Sequence, residues 1–421
     1  MATAHQSLAQ VGGPRENPMK DNRLLAPTFV DLYVLTGKCI DPRAENEIAL
    51  RVPEDVKREH LSQLRRVGQG KGPDYLPFKG DLRWWFAEHW HAGTLDRALE
   101  GVDLGCLGLR IRNPDAQPLY EVEIEPDSGI EMRVEWTGEP VRYVRGGYPG
   151  TQRILELVTP VGTLRTVEKY ASYTFGILEY LVKSVEDLRI YRYFLEHCHV
   201  KRRSLDDNVP LSGAGPKTPM QAFIVELAGV VNTTYLMVDA RKEMEQTMEL
   251  IAQLESEIYG IMADSELGGV GICSNLSADN SAGYWAPYIG PQLAEWADLL
   301  HAHNKRMSIH HDGKLKPLLA RLQGVGVDSV NGLTAAPSGD VPVEEFREMA
   351  GDQIILEGIL PQSIFTPAFS DDEFEEYIRY ALLCLKDDNR VILGIGDMLP
   401  LDGSIKRVEK VVKMARELTA R

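Results

Sequence analysis

Residues 306–333 read "RMSIHHDGKLKPLLARLQGVGVDSVNGL". An apolar run ends on two histidines and an aspartate. A glycine follows, then an amphipathic run, then a second apolar run that closes on Asn331. Two short apolar segments joined by a helical one make a β–α–β unit with parallel strands. The same unit recurs outward in both directions. "NVPLSG" (208–213) precedes the helical "MQAFIVELAG" and a long helical stretch at 236–262. "GVGICSN" (269–275) precedes "GPQLAEWADLLHAHN". Downstream, "VDSVNGL" leads to "VEEFREMAG", "QIILEGIL" (353–360) to "DDEFEEYIRYALLCLK", and "RVILGIGD" (390–397) to "IKRVEKVVKMAREL". This repetition predicts an α/β fold, a (β/α)8 TIM-type barrel, with an open doubly wound sheet as the alternative. "PDYLPFKGDLRWWF" (73–86) supplies a further strand ending at Gly80-Asp81. Seven strands can be named in this way, and the eighth is expected somewhere in 104–165.

The stretch upstream of the alternation has a different character. Residues 45–66 carry helical spacing and many charges, an N-terminal helical extension. Between 103 and 165, "LGLRIR", "LYEVEIE", "IEMRVEW" and "VRYVRGG" alternate apolar and polar residues, the pattern of antiparallel hairpins inserted into the barrel. Helical periodicity is read again over 168–196. The expected organisation is a tail at 1–25 and one barrel domain at 26–421 that contains the insertion.

Bulk properties narrow the function. The 421 residues carry 46 basic and 62 acidic side chains, a net charge of -16. So acidic a chain argues against nucleic acid or an anionic membrane as a partner. No apolar run is long enough to span a bilayer, and the N-terminal stretch lacks the apolar core of a signal peptide. The five cysteines are scattered, with no C-x-x-C pair, which suits a reducing cytoplasm. There is no strand–GxGxxG–helix unit and no GxxxxGK[ST], so nothing points to a nucleotide cofactor.

The strand ends carry the chemistry. In a barrel of this kind, reacting groups come from the C-terminal ends of several strands. Reading each strand to its end gives Asp81, Asn275, His310 with Asp312, Asn331, Glu357 and Asp397. Side chains alternate along a strand, so His310 and Asp312 share one side and His311 takes the other. If Ile309 packs outward against helices, the pair faces the axis. Gly394 and Gly396 leave little bulk around Asp397. One imidazole and two carboxylates from two strands make a candidate divalent-metal site: His310, Asp312 and Asp397. Glu357 sits in an apolar run where an unpaired carboxylate is costly, so it needs a partner. Simpler roles exist for several of these. His311 is expected to be a hydrogen-bonded structural histidine, Asp312 suits a helix N-cap, and Asp397 and Asn331 suit turns.

The succession "HHDGKLKPLL", "GVDSVNGL", "GDVPVEEFREMAG", "ILEGILP" and "VILGIGDMLP", with "TPVGTLR" (159–165) and "SVEDLRIY" (184–191) upstream, resembles the uroporphyrinogen decarboxylase superfamily over roughly residues 70–420. The resemblance implies a (β/α)8 barrel and one of two chemistries. The decarboxylase branch uses an arginine-rich N-terminal signature. The matching place here, "LPFKGDLRWW" (76–85), lacks it. The other branch comprises cobalamin-dependent methyltransferases that hold zinc by a His-x-Cys pair and a later Cys. His310 matches that histidine, while Asp312 and Asp397 stand where the two cysteines would be. Two oxygen donors in place of two thiolates make a harder site, so the divalent metal that the resemblance implies need not be zinc.

On this reading the chain is a methyltransferase. A methyl group passes from a small ether, amine or thioether to a corrinoid. The corrinoid comes on a separate protein, because the chain lacks the D-x-H-x-x-G pattern of corrin-binding modules. Glu357 would be a general acid or further ligand, and Asn275, Asn331 and Asp81 would orient the substrate. The rival readings are a cofactor-independent lyase, with Arg83, Arg142 and Arg145 as its anion-binding candidates, and a barrel that binds without catalysis.

Overall fold

The computed structural model describes residues 23–24, 42–109, 118–137, 152–171, 174–204 and 213–421. Its first half is antiparallel. The strands are β1 (Arg23–Leu24), β2 (Tyr120–Ile124), β3 (Glu131–Trp136), β4 (Gln152–Thr159), β5 (Gly162–Ala171), β6 (Thr174–Glu179) and β7 (Cys198–Arg202). Three of them form a sheet in the order β1-β2-β7, and β3-β4-β5-β6 form a meander. On β4 burial alternates strictly, with Arg153, Leu155, Leu157 and Thr159 turned inward. Arg153 is held there by Glu168 of β5, Nε to Oε2 2.6 Å, an ion pair enclosed on both sides.

The hairpin region is longer than the expected 103–165. Strands continue to Glu179, and β7 belongs with β2. Helix starts only at Val185, where Ser184 caps it through Asp187 N–H. The cause lies on β5, where the register with β6 shifts between Val167 and Glu168. A bulge of this kind breaks the period-two signal and lets the stretch read as helical. Residues 107–109 of "LGLRIR" are not in a strand. "VRYVRGG" lies outside the described residues, as does most of "NVPLSG". The helical stretch at 236–262 is two helices, Gly229–Asp239 and Arg241–Ala263.

The second half is the parallel array read from the sequence. Its strands are β8 (Ala214–Gly215), β9 (Gly269–Leu276), β10 (Arg306–His311), β11 (Ser329–Thr334), β12 (Ile355–Leu360) and β13 (Val391–Ile395). They form one six-stranded sheet in which spatial order follows chain order. Beyond β13 lies the segment 77–79. Lys79 N–H donates to Leu393 O (2.6 Å) and Leu393 N–H to Pro77 O (2.8 Å), with Phe78 bridged in parallel to Leu393. The first strand-like segment of the array therefore lies against its last strand. Among the described residues no pairing joins 77–79 to β8, and the array is a parallel sheet of six strands with 77–79 as a seventh member.

Helices cross over between successive strands and bury one face against the sheet. Met307, Ile309, Val330, Leu356 and Leu393 are all fully buried in one continuous core with Leu293, Ala297, Phe346, Phe374 and Val408 of those helices. Each such side chain contributes on the order of 1.5–3 kcal/mol by leaving water. Caps fix where the helices begin. Ser370 and Glu373 form a reciprocal capping box at Asp371–Leu385. Leu315 and Lys316 N–H donate to Asp340 Oδ1 at the entry to Lys316–Leu319. The cap there is thus Asp340, not Asp312. Among the described residues no helix is long and apolar enough to cross a membrane.

Candidate functional site

β10 shows the expected alternation. Met307, Ile309 and His311 are buried against the helices, while Ser308 and His310 take the other side. The register sets His310 directly opposite Asn331 of β11. His310 Nδ1 lies 2.8 Å from Asn331 Oδ1. With Nδ1–H donating to that oxygen, the ring is fixed and Nε2 faces two carboxylates. Asp312 Oδ2 is 3.4 Å away and Asp397 Oδ1 3.9 Å. Gly332 makes room for this. Its φ is +80°, and an added Cβ would run into the His310 ring. His310 Nε2 thus has one oxygen of each of the other two named ligands within 4 Å, one from its own strand end and one from the turn after β13.

Electrostatics couple them. Burial works against a charged His310. The hydrogen bonds to Asp312 and Asn331 and the charges of Asp312 and Asp397 outweigh it and raise its pKa. Burial raises the Asp397 carboxyl, and Asp312 and Asp81 push it further, against the pull of His310 and Arg83. No lysine or arginine ion-pairs with Asp312 or Asp397 among the described residues.

The remaining candidates are present at the same strand ends, each engaged by a neighbour. Glu357 of β12 has the partner its setting requires: Lys79 Nζ, from the first strand-like segment. Asp81 receives Arg83, with Nε at 2.8 and 3.0 Å from its two oxygens. Asn331 orients His310. Asn275, at the end of β9, has the left-handed φ of +49°, and its Oδ1 accepts from Cys273 Sγ at 3.3 Å. Gly394 and Gly396 do not open space around Asp397. An added Cβ would strike Lys79 O at the first and Thr334 Oγ1 at the second, so both allow close chain packing. His311 is fully buried, and neither ring nitrogen has a partner among the described residues, in place of the expected hydrogen bond. Burial holds its pKa down at about 4. Of the anion-binding arginines, Arg83 is committed to Asp81. Arg142 and Arg145 lie outside the described residues.

Four residues at this end were not anticipated from sequence: Lys79, Lys217, Glu226 and Cys273. Lys217 pairs with the buried Glu226 just beyond β8. Cys273 is exposed at the β9 end, and the charges of Lys217, Glu226, Asp312 and Asp397 all act on its thiol. A lysine flanked by Pro77, Phe78 and Gly80 was a signal that could have been used. The pairings themselves join residues too far apart in the chain to be read from it.

The donor set of one imidazole nitrogen and two carboxylate oxygens suits a divalent ion of intermediate hardness. Tetrahedral ligands at zinc-like bond lengths stand roughly 3.3 Å apart. The Asp312 contact matches that spacing, and the Asp397 contact, from a side chain that is half exposed, exceeds it. Among the described residues no group of three or more His, Cys, Asp or Glu side chains is already drawn together as a metal-holding set.

No family model matches the chain, and no curated protein matches it. Among solved structures it is similar to a methyltransferase from Methanosarcina mazei. The identity is 12%, the match covers 84% of this chain and 97% of that one, and the TM-score is 0.45. A likeness of that extent says nothing about chemistry.

Proposed function

We propose that the chain is a methyltransferase that moves a methyl group from a small methylated donor to a corrinoid carried by a separate protein. His310, Asp312 and Asp397 would hold a divalent metal, and the strand array would close into a barrel around them. One observation carries the reading: His310 Nε2, held by Asn331 at the far side of the ring, faces two carboxylates with which no lysine or arginine ion-pairs among the described residues. Excess negative charge around Nε2 calls for a cation, a proton in the free protein and a metal in its place. When bound, a divalent metal supplies Lewis acidity toward the leaving heteroatom of a methyl donor, whose departure otherwise builds unfavourable charge.

The chain's own residues have separable roles. Asn331 holds Nδ1–H, so that Nε2 is the nitrogen turned toward the carboxylates, as the outer partners of ligating histidines do. Glu357 would hold the Lys79 ammonium as the proton donor that meets the leaving atom. Asp81 and Asn275 would orient the donor. Among the described residues, Lys79, Arg83 and Lys217 at this end already hold carboxylates, and a polyanionic tetrapyrrole would have to break those pairs.

The test is spectroscopic. The protein is mixed with a divalent metal salt, reduced cobalamin and a panel of methyl ethers, amines and thioethers. Donor-dependent methylation of the corrinoid, lost in His310→Ala, is the expected result. No transfer from any donor with metal present contradicts the proposal.

A further inference from the structure

The end of β9 departs from regular strand geometry at the residues that face His310. Ile309 of β10 pairs with Ile272 of β9, yet His311 pairs with Leu276, so β9 carries extra residues over Cys273–Asn275. Ser274 turns away and donates from Oγ to His310 O at 2.8 Å. Cys273 and Asn275 project to the other side, and Asn275 pays for this with a φ of +49°, a region that non-glycine residues seldom occupy. Something must hold it. Gln221 does so from behind the strand ends that form the cup of His310, Asp312, Asp397 and Asn275. Its side chain is completely buried, and Nε2 donates to Asn275 O at 3.0 Å. Its Oε1 accepts from Ser281 Oγ at 2.9 Å, and Ser281 is itself fully buried. Asn280 Nδ2 makes a second, longer contact to the same carbonyl, 3.4 Å. Gln221 also lies just before a π-helical turn, Phe223–Leu227, that delivers Glu226 to Lys217. Such turns cluster at functional sites.

We infer that Gln221 is a positioning residue of the cup. It fixes the Asn275 carbonyl, keeps Asn275 left-handed, and thereby sets the Cys273 thiol and Asn275 carboxamide as an uncharged wall beside the charged group of His310, Asp312 and Asp397. If the methyltransferase reading holds, that wall takes the neutral body of the methyl donor, while the charged group takes its leaving atom. The positioning role itself does not depend on that reading. A bulge that re-aims side chains at a strand end is a known way of building a site.

The test uses the thiol as a reporter and needs neither donor nor metal. The intact protein is alkylated with iodoacetamide, and the rates at Cys273 and at the exposed Cys384 are read by peptide mass spectrometry. Cys384 is the internal reference for reagent and pH. In Gln221→Leu, Asn275 relaxes and releases the thiol from Oδ1, so the Cys273-to-Cys384 rate ratio rises at least fivefold. Ser281→Ala, which removes the contacts of Ser281 Oγ with Gln221 Oε1 and with Asn280 Oδ1 but leaves the Gln221 amide on the Asn275 carbonyl, shifts the ratio the same way by less, and it serves where Gln221→Leu does not fold. A ratio within twofold of wild type in a folded variant overturns the inference. A lower melting temperature with an unchanged ratio means that Gln221 is structural only, and also overturns it.

Discussion

The charged group is a matter of single atoms. His310 has one nitrogen committed to Asn331 and one facing Asp312 and Asp397. Gly332→Ala should disturb this first, because the new methyl meets the imidazole and must also adopt a φ of +80°. A cost of about 1–3 kcal/mol in urea unfolding is expected, together with weakened cation binding. His311, its buried neighbour, governs acid stability. Its folded pKa of about 4 lies below its unfolded value, so between them the unfolded chain binds the extra proton. Stability therefore falls as pH drops from about 6.5 toward 4. His310, with its raised pKa, acts in the opposite direction, so the informative quantity is the difference between wild type and His311→Leu. That difference should grow by about 3 kcal/mol across the window in favour of the variant. Parallel urea midpoints at pH 7 and pH 4.5 would show otherwise.

At the level of elements, the sequence was most informative where strands and helices alternate. Each of 269–276, 306–311, 329–334, 355–360 and 391–395 was legible as an apolar run before a helix, and each is a parallel strand. Of the polar residues closing those runs, His310 contacts Asn331, Asp312 and Asp397. Less was legible where a bulge broke periodicity, as on β5 at Val167/Glu168 and on β9 at Cys273–Asn275. The cap of Lys316–Leu319 was equally hidden: Asp312 is adjacent in sequence, but Asp340 reaches the N–H groups from a later loop. Asp340→Ala should cost about 1 kcal/mol, and Asp312→Ala should leave the helix end intact, as amide exchange at Leu315 and Lys316 would report. The Lys79–Glu357 pair ties the first strand-like segment to β12. Lys79→Met strands a mostly buried carboxylate. Because Lys79 is about one-third exposed, the loss should be nearer ~2 kcal/mol than the cost of breaking a fully buried pair. Glu357→Gln in the same background should recover part of it, and a double-mutant cycle in urea measures the coupling.

For the whole molecule, the distribution of charge decides more than its total. The chain carries a net charge of -16, but at the strand ends the cations Lys79, Arg83 and Lys217 are matched one to one with Glu357, Asp81 and Glu226. The remainder is two carboxylates about one imidazole. A cation bound there joins two distant strand ends, β10 and the turn after β13, and so should stabilise the entire array. At a hundredfold excess over its dissociation constant it adds about 2.7 kcal/mol. Elemental analysis after equilibration with zinc or cobalt(II) and removal of free metal tests the central claim directly, on wild type, His310→Ala and Asp397→Ala. Wild type should retain metal stoichiometrically, and each substitution should cut it at least tenfold. Retention unchanged by both substitutions, or no retention by folded wild type, would contradict the account.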